Sequence, residues 1–290
     1  MDIIASLKNG YRNGSLLTHL IYWNVGIWLA VKLINMVLAL CAIPPDAWLR
    51  YLEMPSDVQT WLHQPWTMFT YMFLHRDFFH LFFNMLCLYW FGRLFLDDMS
   101  PKQLVGLYIW GGLAGAAFYL GMYNLLPFIA GHTYLLGASA SIMAIIVAVA
   151  VWRPNYSIRL LLIGEIRLKY IAIVTVAVSV LGVTGSNAGG ELAHLGGALM
   201  GALYAWLWRK GHDLSAPITA IINWFSNLRR HRYTRQRKST FKQRPKSDAE
   251  YNQEKAHNEA EIDRILDKIK RSGYQSLSDD ERAALFNCKK

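Results

Sequence analysis

Charged residues and cysteines are both scarce in this sequence. Only 17% of its 290 residues are charged, and three are cysteine. Three cysteines are too few for a framework of disulfide bonds, so the chain is not a small disulfide-stabilised domain. Long runs almost without charge fill the first 210 residues and then stop. This pattern indicates a membrane-embedded region followed by a polar tail.

Hydrophobic residues make up 53% of the chain, and six segments are apolar enough to cross a bilayer, of which the fourth and fifth are short. A transmembrane helix needs about 20 apolar residues, and fewer where the bilayer is locally thin. We place the spans at Leu16–Leu40, Asp77–Leu96, Gln103–Tyr123, Gly137–Val151, Tyr170–Val183 and Glu191–Trp208. The predicted fold is an all-α polytopic membrane protein with a six-transmembrane-helix bundle at 16–210, a cytoplasmic segment at 1–15 and a tail at 211–290.

Lysine and arginine set the predicted orientation, since short cytoplasmic loops carry an excess of both. If the N-terminus is cytoplasmic, the inner ends of the spans hold ten basic residues, and the outer loops hold only Arg50 and Arg76. Both termini are therefore expected to be cytoplasmic. The first outer connection, about Cys41 to Arg76, suggests amphipathic helices in the membrane interface. Its aromatic residues are Trp48, Tyr51, Trp61, Trp66 and Tyr71.

Polar side chains fall at one depth in three spans that are far apart in the sequence. In the predicted orientation the second, fourth and sixth spans all run inward, so each begins in the outer leaflet. His80 and Asn84 are four residues apart on one face of the second span. Ser139 is two residues into the fourth span, and His194 is in the first turn of the sixth. Polar groups in lipid tend to face the protein interior, so we expect these side chains to meet.

A serine hydroxyl beside a histidine is the minimum set of groups for nucleophilic acyl transfer. A neutral imidazole within hydrogen-bond reach accepts the hydroxyl proton as the oxygen attacks. The oxyanion that forms on the substrate carbonyl then needs hydrogen-bond donors. The Asn84 amide, the His80 ring and the backbone N–H groups at the start of the fourth span can supply them.

Small residues recur every four positions in two spans, and such faces let helix backbones approach closely. They are Gly111 and Gly115 in the third span, and Ala193, Gly197 and Gly201 in the sixth. We predict that the fourth and sixth spans touch, which would bring Ser139 to His194. Gly137 would let backbone and substrate come close at the same place.

Each of these features also has a simpler interpretation. A serine at the start of a transmembrane helix commonly caps the helix or serves packing. An intramembrane histidine is commonly a structural group or part of a proton relay. A small-solute transporter is a further alternative, but the spans show no paired broken helices or repeat symmetry. The occurrence of these features together in one leaflet favours the catalytic interpretation.

Residues 65–208 resemble the rhomboid family of intramembrane serine proteases. The resemblance is carried by HLFFNM at His80–Met85, GASA at Gly137–Ala140 and AHLGG at Ala193–Gly197. It implies a Ser139 nucleophile and a His194 base. It also implies an oxyanion site that includes His80 and Asn84. The remaining motif positions that shape the backbone are Gly137, Ala138 and Gly197.

The same resemblance implies a Ser–His dyad without an acidic third member, so Glu191, one turn before His194, is interpreted as an interfacial residue. Two positions depart from the family pattern. Ala140 follows the serine where glycine is usual, and Met143 stands where some bacterial members carry an aromatic residue against the histidine. Alanine is small enough that we expect activity to survive.

The expected function is that of an intramembrane serine endopeptidase in the bacterial inner membrane. It would cleave the transmembrane segments of single-span substrates near the outer leaflet. No metal or organic cofactor is implied, because the histidines form no ligand cluster with carboxylates or cysteines. The alternative is an inactive relative that binds and escorts transmembrane clients.

The tail is expected to contain a basic block and two short helices. Nine basic and no acidic residues fall within Arg229–Lys246, which suggests contact with anionic lipid headgroups. Nucleic-acid binding is not favoured, because no recognition module accompanies the block. Residues 255–271 have helical periodicity that ends at Gly273. Ser278 and Glu281 form a capping-box pattern for a last helix at Asp279–Phe286.

Overall fold

The computed structural model describes residues 10–11, 14–126, 131–160, 164–224, 248–278 and 281. The chain divides into two compact units, Met1–Leu228 and Arg229–Lys290. The basic block Arg229–Lys246 lies outside the described residues, as do most of the predicted last helix and most of the segment at 1–15. The division into a bundle at 16–210 and a tail at 211–290 stays a prediction.

The first unit is a helical membrane bundle, as the sequence predicts. Its helices are α1 Leu16–Leu40, α2 Val58–His63, α3 Thr67–Thr70, α4 Phe78–Leu96, α5 Pro101–Leu125, α6 Ser139–Trp152, α7 Leu168–Gly182, α8 Ala188–Arg209 and α9 216–224. In the described part of the chain, α1, α4 and α5 are long and apolar enough to cross a membrane, while α6 and α7 are shorter apolar helices. The other predicted span, α8, has 22 residues.

The predicted span starts lie within three residues of the observed helix starts, and two of the differences have a structural reason. The fourth span begins at Ser139 rather than Gly137, because Gly137 has φ +130°, which a helix excludes. The sixth begins at Ala188 rather than Glu191, so His194 lies in the second helical turn and not the first. Residues 188–190 are small and extend that helix while adding little apolar surface. A search for hydrophobic runs therefore does not detect them.

Helix α6 lies at the centre of the bundle, and every residue from Ala140 to Ala150 is buried. It packs between α5 and α8 at close range. A Cβ added to Gly111 or Gly115 of α5 would lie 2.5 Å from the side chain of Ala144 or Ala140, respectively. On the α8 side, a Cβ added to Gly201 would lie 2.2 Å from the Ala144 carbonyl oxygen, so the fourth and sixth spans touch as predicted. The small-residue faces allow this close approach.

The outer segments are joined by a two-stranded sheet. Strand β1, Met54–Pro55, pairs antiparallel with β2, Tyr134–Leu135. The connection between α1 and α4 also contains the short helices α2 and α3, as predicted. Tyr71, interpreted from the sequence as an interfacial aromatic, is instead 1% exposed, and its hydroxyl donates to the Gly112 carbonyl over 2.6 Å. The first outer connection is thus fixed to the bundle core.

A hairpin between α6 and α7 was not predicted. Strand β3, Ser157–Leu160, pairs antiparallel with β4, Gly164–Arg167. The sequence does alternate here, with Ile158 and Ile166 between polar neighbours, but each strand has only four residues. Runs this short do not separate a strand from a loop by pattern alone.

The second unit contains α10, Asp248–Ser272, followed by a glycine at φ +75°. The predicted helix at 255–271 is present and ends before Gly273 as expected, but it begins seven residues earlier than predicted, at Asp248. The Ser278 amide donates to a Glu281 carboxylate oxygen over 2.9 Å, and the Glu281 amide donates to the Ser278 hydroxyl over 3.3 Å. The predicted capping box is therefore present, although the helix it would start lies outside the described residues.

Candidate active site

Ser139 is the first residue of α6, and the short segment that leads to it, the approach, contains Gly137. The Gly137 amide donates to the Tyr71 carbonyl over 3.0 Å, and this bond ties the approach to the first outer connection. Gly137 has φ +130°, a conformation that residues with a Cβ rarely adopt. Ala138 is the N-cap residue, is fully buried and supplies no side-chain cap. The first backbone N–H groups of α6 therefore receive no acceptor from the cap residue and can donate to another acceptor.

The structure brings Ser139 and His194 together. His194 Nε2 lies 2.8 Å from Ser139 Oγ, although the two residues are 55 positions apart. The approach depends on Gly197, one turn after the histidine, where an added Cβ would lie 2.1 Å from the Ala140 carbonyl oxygen. A hydroxyl hydrogen-bonded to an imidazole is an arrangement in which the imidazole can accept the hydroxyl proton.

Glu191, which the sequence interpretation assigned to the membrane interface and not to the site, contacts His194 in the structure. Its Oε2 lies 3.2 Å from His194 Nδ1, and its side chain is 17% exposed. The reason is helical geometry, because side chains three residues apart share one face. Ser179 of α7 also reaches this nitrogen, with its Oγ 3.2 Å from Nδ1. The spacing of Glu191 was visible in the sequence, whereas Ser179 carries no sequence signal that distinguishes it from other serines.

The catalytic candidates line one cavity of about 700 Å³. Its wall includes Ser139, His194, His80 and Asn84, so all four predicted polar residues meet at one place. The cavity is partly open.

His80 and Asn84 are oriented by the first turns of α4. The Arg76 amide donates to His80 Nδ1 over 3.4 Å, which favours the tautomer with the proton on Nε2. An added Cβ on Gly137 would lie 3.0 Å from His80 Nε2 and 3.7 Å from Ser139 Oγ, so the ring is close to the serine. Asn84 gives one amide hydrogen to the His80 carbonyl over 2.7 Å and retains the other for a ligand. Both side chains are thus available as donors beside the serine.

Asp77 and His75, which lie near His80, affect the charge at the cavity wall. Asp77 caps α4 by accepting from the His80 amide over 2.9 Å, and this hydrogen bond lowers the pKa of the Asp77 carboxyl. His75 is 5% exposed, and burial lowers its pKa to about 4. It is therefore neutral at physiological pH, with its ring 5.2 Å from the ring of His80. The sequence pattern gives no sign of His75, since it shares no helix face with His80.

Ala140, the departure from the usual glycine, fits its surroundings. Its side chain is 1% exposed and faces the bare Cα of Gly115, where an added Cβ would lie only 2.5 Å away. The methyl group therefore occupies space that a glycine on α5 leaves free, and it does not obstruct Ser139.

The comparison with known proteins agrees with this architecture. The sequence matches the Rhomboid domain family over residues 62–211. Residues 246–287 match a Family of unknown function (DUF6576). RHOMBOID-like protein 12, mitochondrial, of Arabidopsis thaliana is 31% identical over 156 residues, which cover 48% of this chain and 45% of that protein. The chain thus matches less than half the length of this relative.

The Rhomboid domain match covers slightly more than half of the 290 residues and includes every side chain that lines the Ser139–His194 cavity. The chain is a helical membrane bundle, it matches this family model, and it carries the three motifs at their expected places in the fold. The chain therefore belongs to the rhomboid family.

Proposed function

We propose that this protein is an intramembrane serine endopeptidase that uses Ser139 as nucleophile and His194 as general base. The observation that carries the proposal is the 2.8 Å distance between Ser139 Oγ and His194 Nε2 at the wall of an open cavity. Membership of the family supports a protease-type function without by itself establishing activity.

In the first half of the reaction, Ser139 Oγ forms a bond to the carbonyl carbon of the scissile peptide, and its proton passes to His194 Nε2. The carbonyl oxygen becomes an oxyanion, to which the His80 ring, the Asn84 amide and the N-terminal amides of α6 donate hydrogen bonds in this proposal. The C–N bond then breaks as Nε2 returns the proton to the leaving amine. The product of this half is an ester on Ser139.

In the second half, a water molecule replaces the amine. Its oxygen attacks the ester carbon while His194 Nε2 accepts one proton, and the oxyanion forms again in the same site. Collapse breaks the bond to Ser139 Oγ, which regains the proton from Nε2. The net reaction is hydrolysis of one peptide bond, and no cofactor takes part in it.

The proposed substrates are single-span transmembrane proteins, cut near the outer leaflet. Two features support this class: the serine lies at the start of a helix in a membrane bundle, and the cavity is partly open. The distribution of lysine and arginine supports cytoplasmic termini, and the basic block Arg229–Lys246 supports contact with anionic lipid headgroups. A bacterial inner-membrane location remains a prediction.

The test is cleavage of a model single-span substrate by the full-length protein in liposomes. We expect Ser139→Ala to reduce the rate by at least about 1000-fold, because the nucleophile is lost. Ser141→Ala is the matched control, since Ser141 is fully buried on the same helix and should not react. A fluorophosphonate should label the wild type and Ser141→Ala but not Ser139→Ala. Equal cleavage by Ser139→Ala and wild type would refute the proposal and favour a client-binding role.

A further inference from the structure

The nitrogen of His194 that faces away from the serine has a carboxylate partner. Glu191 Oε2 and Ser179 Oγ each lie 3.2 Å from Nδ1. The side chain of Glu191 is only 17% exposed and that of His194 only 20%. Water therefore screens this contact less than it would on an open surface. The contact continues the line from Ser139 through Nε2 to the far side of the ring.

The fold holds Glu191 in this position from two sides. It lies in the first turn of α8, where the partial positive charge of the helix N-terminus stabilises a carboxylate. On the other side, Gly182 of α7 leaves room for it, since an added Cβ there would lie 2.8 Å from Glu191 Cγ. The carboxylate is therefore packed between two helices at the Nδ1 side of the ring.

From this geometry we infer that Glu191 is a positioning residue that acts through His194, an inference that rests on the proposed protease function. A carboxylate can only accept hydrogen bonds, so it selects the tautomer in which Nδ1 carries the proton. Nε2 is then unprotonated and can accept the Ser139 proton. The carboxylate also stabilises the positive charge that His194 gains in the transition state.

The titratable groups that line the cavity together with His194 are not among the hydrogen-bond partners of its Nδ1, which are Ser179 and Glu191. These lining groups are Arg76, Asp77, His80, Tyr119, Tyr123 and Tyr134. Within the described residues, Glu191 supplies the acidic group in hydrogen-bond contact with Nδ1. The Ser179 hydroxyl can either donate or accept, so it does not select a tautomer by itself.

The first test is spectroscopic, and the wild-type spectrum decides it. The ¹⁵N shifts of the His194 ring, assigned by their loss in His194→Gln, should show a protonated Nδ1 and an unprotonated Nε2 when the ring is neutral. Glu191→Gln should give a mixture of tautomers, because an amide can donate as well as accept. A wild-type ring with its proton on Nε2 would overturn the inference, whether or not the variant folds.

The second test separates binding from chemistry. Glu191→Gln should lower kcat by about 10-fold or more and leave KM within about 2-fold, since the carboxylate acts in the transition state. Glu165→Gln, which removes an exposed carboxylate from the β3–β4 hairpin, should have wild-type kcat. Ser179→Ala should retain the wild-type tautomer because Glu191 remains.

The outcomes distinguish this inference from the proposed function. If Ser139→Ala abolishes cleavage and Glu191→Gln has wild-type kcat and tautomer, the protein is a protease that works as a Ser–His dyad, and the inference is wrong. If Ser139→Ala cleaves normally, the proposed function is wrong, and the ring tautomers still decide whether Glu191 orients His194.

Discussion

Replacing Gly197 with alanine would test whether the close contact of α6 with α8 sets the Ser139–His194 distance. An added Cβ would lie 2.1 Å from the Ala140 carbonyl oxygen, 0.9 Å short of the 3.0 Å below which real Cβ contacts essentially never occur. That oxygen belongs to the backbone of α6, so it cannot rotate away as a side chain can. The two helices must therefore separate or tilt by roughly 1 Å to bring the pair to that lower limit.

The expected effects follow from that displacement. Forcing an extra methyl group into a packed interior costs about 1–3 kcal/mol, so the variant should unfold at a lower temperature. The Ser139–His194 hydrogen bond, now 2.8 Å, would approach about 3.8 Å if α8 carried the whole movement, beyond the usual limit of about 3.2 Å. A misplacement of about 1 Å can cost about 100-fold in rate, and we expect a loss of that order.

The assay is the rate at which a fluorophosphonate labels Ser139 in detergent, measured well below the unfolding temperature. Gly121→Ala is the control for the substitution itself, because an added Cβ there meets nothing within 4 Å. Gly201→Ala is the control for the clash, since its Cβ would lie 2.2 Å from the Ala144 oxygen, one turn further from the site. It should lose similar stability but less labelling. Wild-type labelling by folded Gly197→Ala would refute the reasoning.

The remaining predictions concern the approach to the serine and the membrane orientation. Gly137→Ala should reduce cleavage more than thermal stability, because φ +130° strains alanine by about 1–3 kcal/mol and its Cβ would lie 3.0 Å from the His80 ring; wild-type kinetics would contradict this. In intact bacterial cells that express the protein, a membrane-impermeant maleimide should label exposed Cys41 at the end of α1, while half-buried Cys87 in α4 should react only after denaturation. Labelling of Cys41 only after the membrane is permeabilised would show that the predicted orientation is reversed.

Much of the helical architecture could be predicted from the sequence, because the signals for it are local. The apolar runs place α1, α4 and α5 within a few residues of their observed ends. Capping chemistry is also local, and Asp77 begins α4 by accepting from the His80 amide. Where a helix starts with small residues, as α8 does at Ala188, the hydrophobic pattern gives no sign of the start.

The candidate site was only partly predictable. Ser139, His194, His80 and Asn84 could be proposed as neighbours from their common depth, and they do line one cavity. Tyr71 and Glu191 were both interpreted as interfacial residues, although one holds the Gly137 approach and the other contacts His194. An aromatic or acidic residue near a membrane surface has the same sequence pattern in either role.

The sequence by itself thus determined that the chain is a helical membrane protein, and it predicted which polar residues share one depth. It did so because hydrophobicity and charge act on each segment separately. Only the tertiary structure decided that Nε2 of His194 is 2.8 Å from Ser139 while Nδ1 faces Glu191. Those distances depend on how closely α6, α7 and α8 approach one another. That approach is set where the bare Cα atoms of Gly182 and Gly197 meet a neighbouring helix, which is a property of packing in three dimensions.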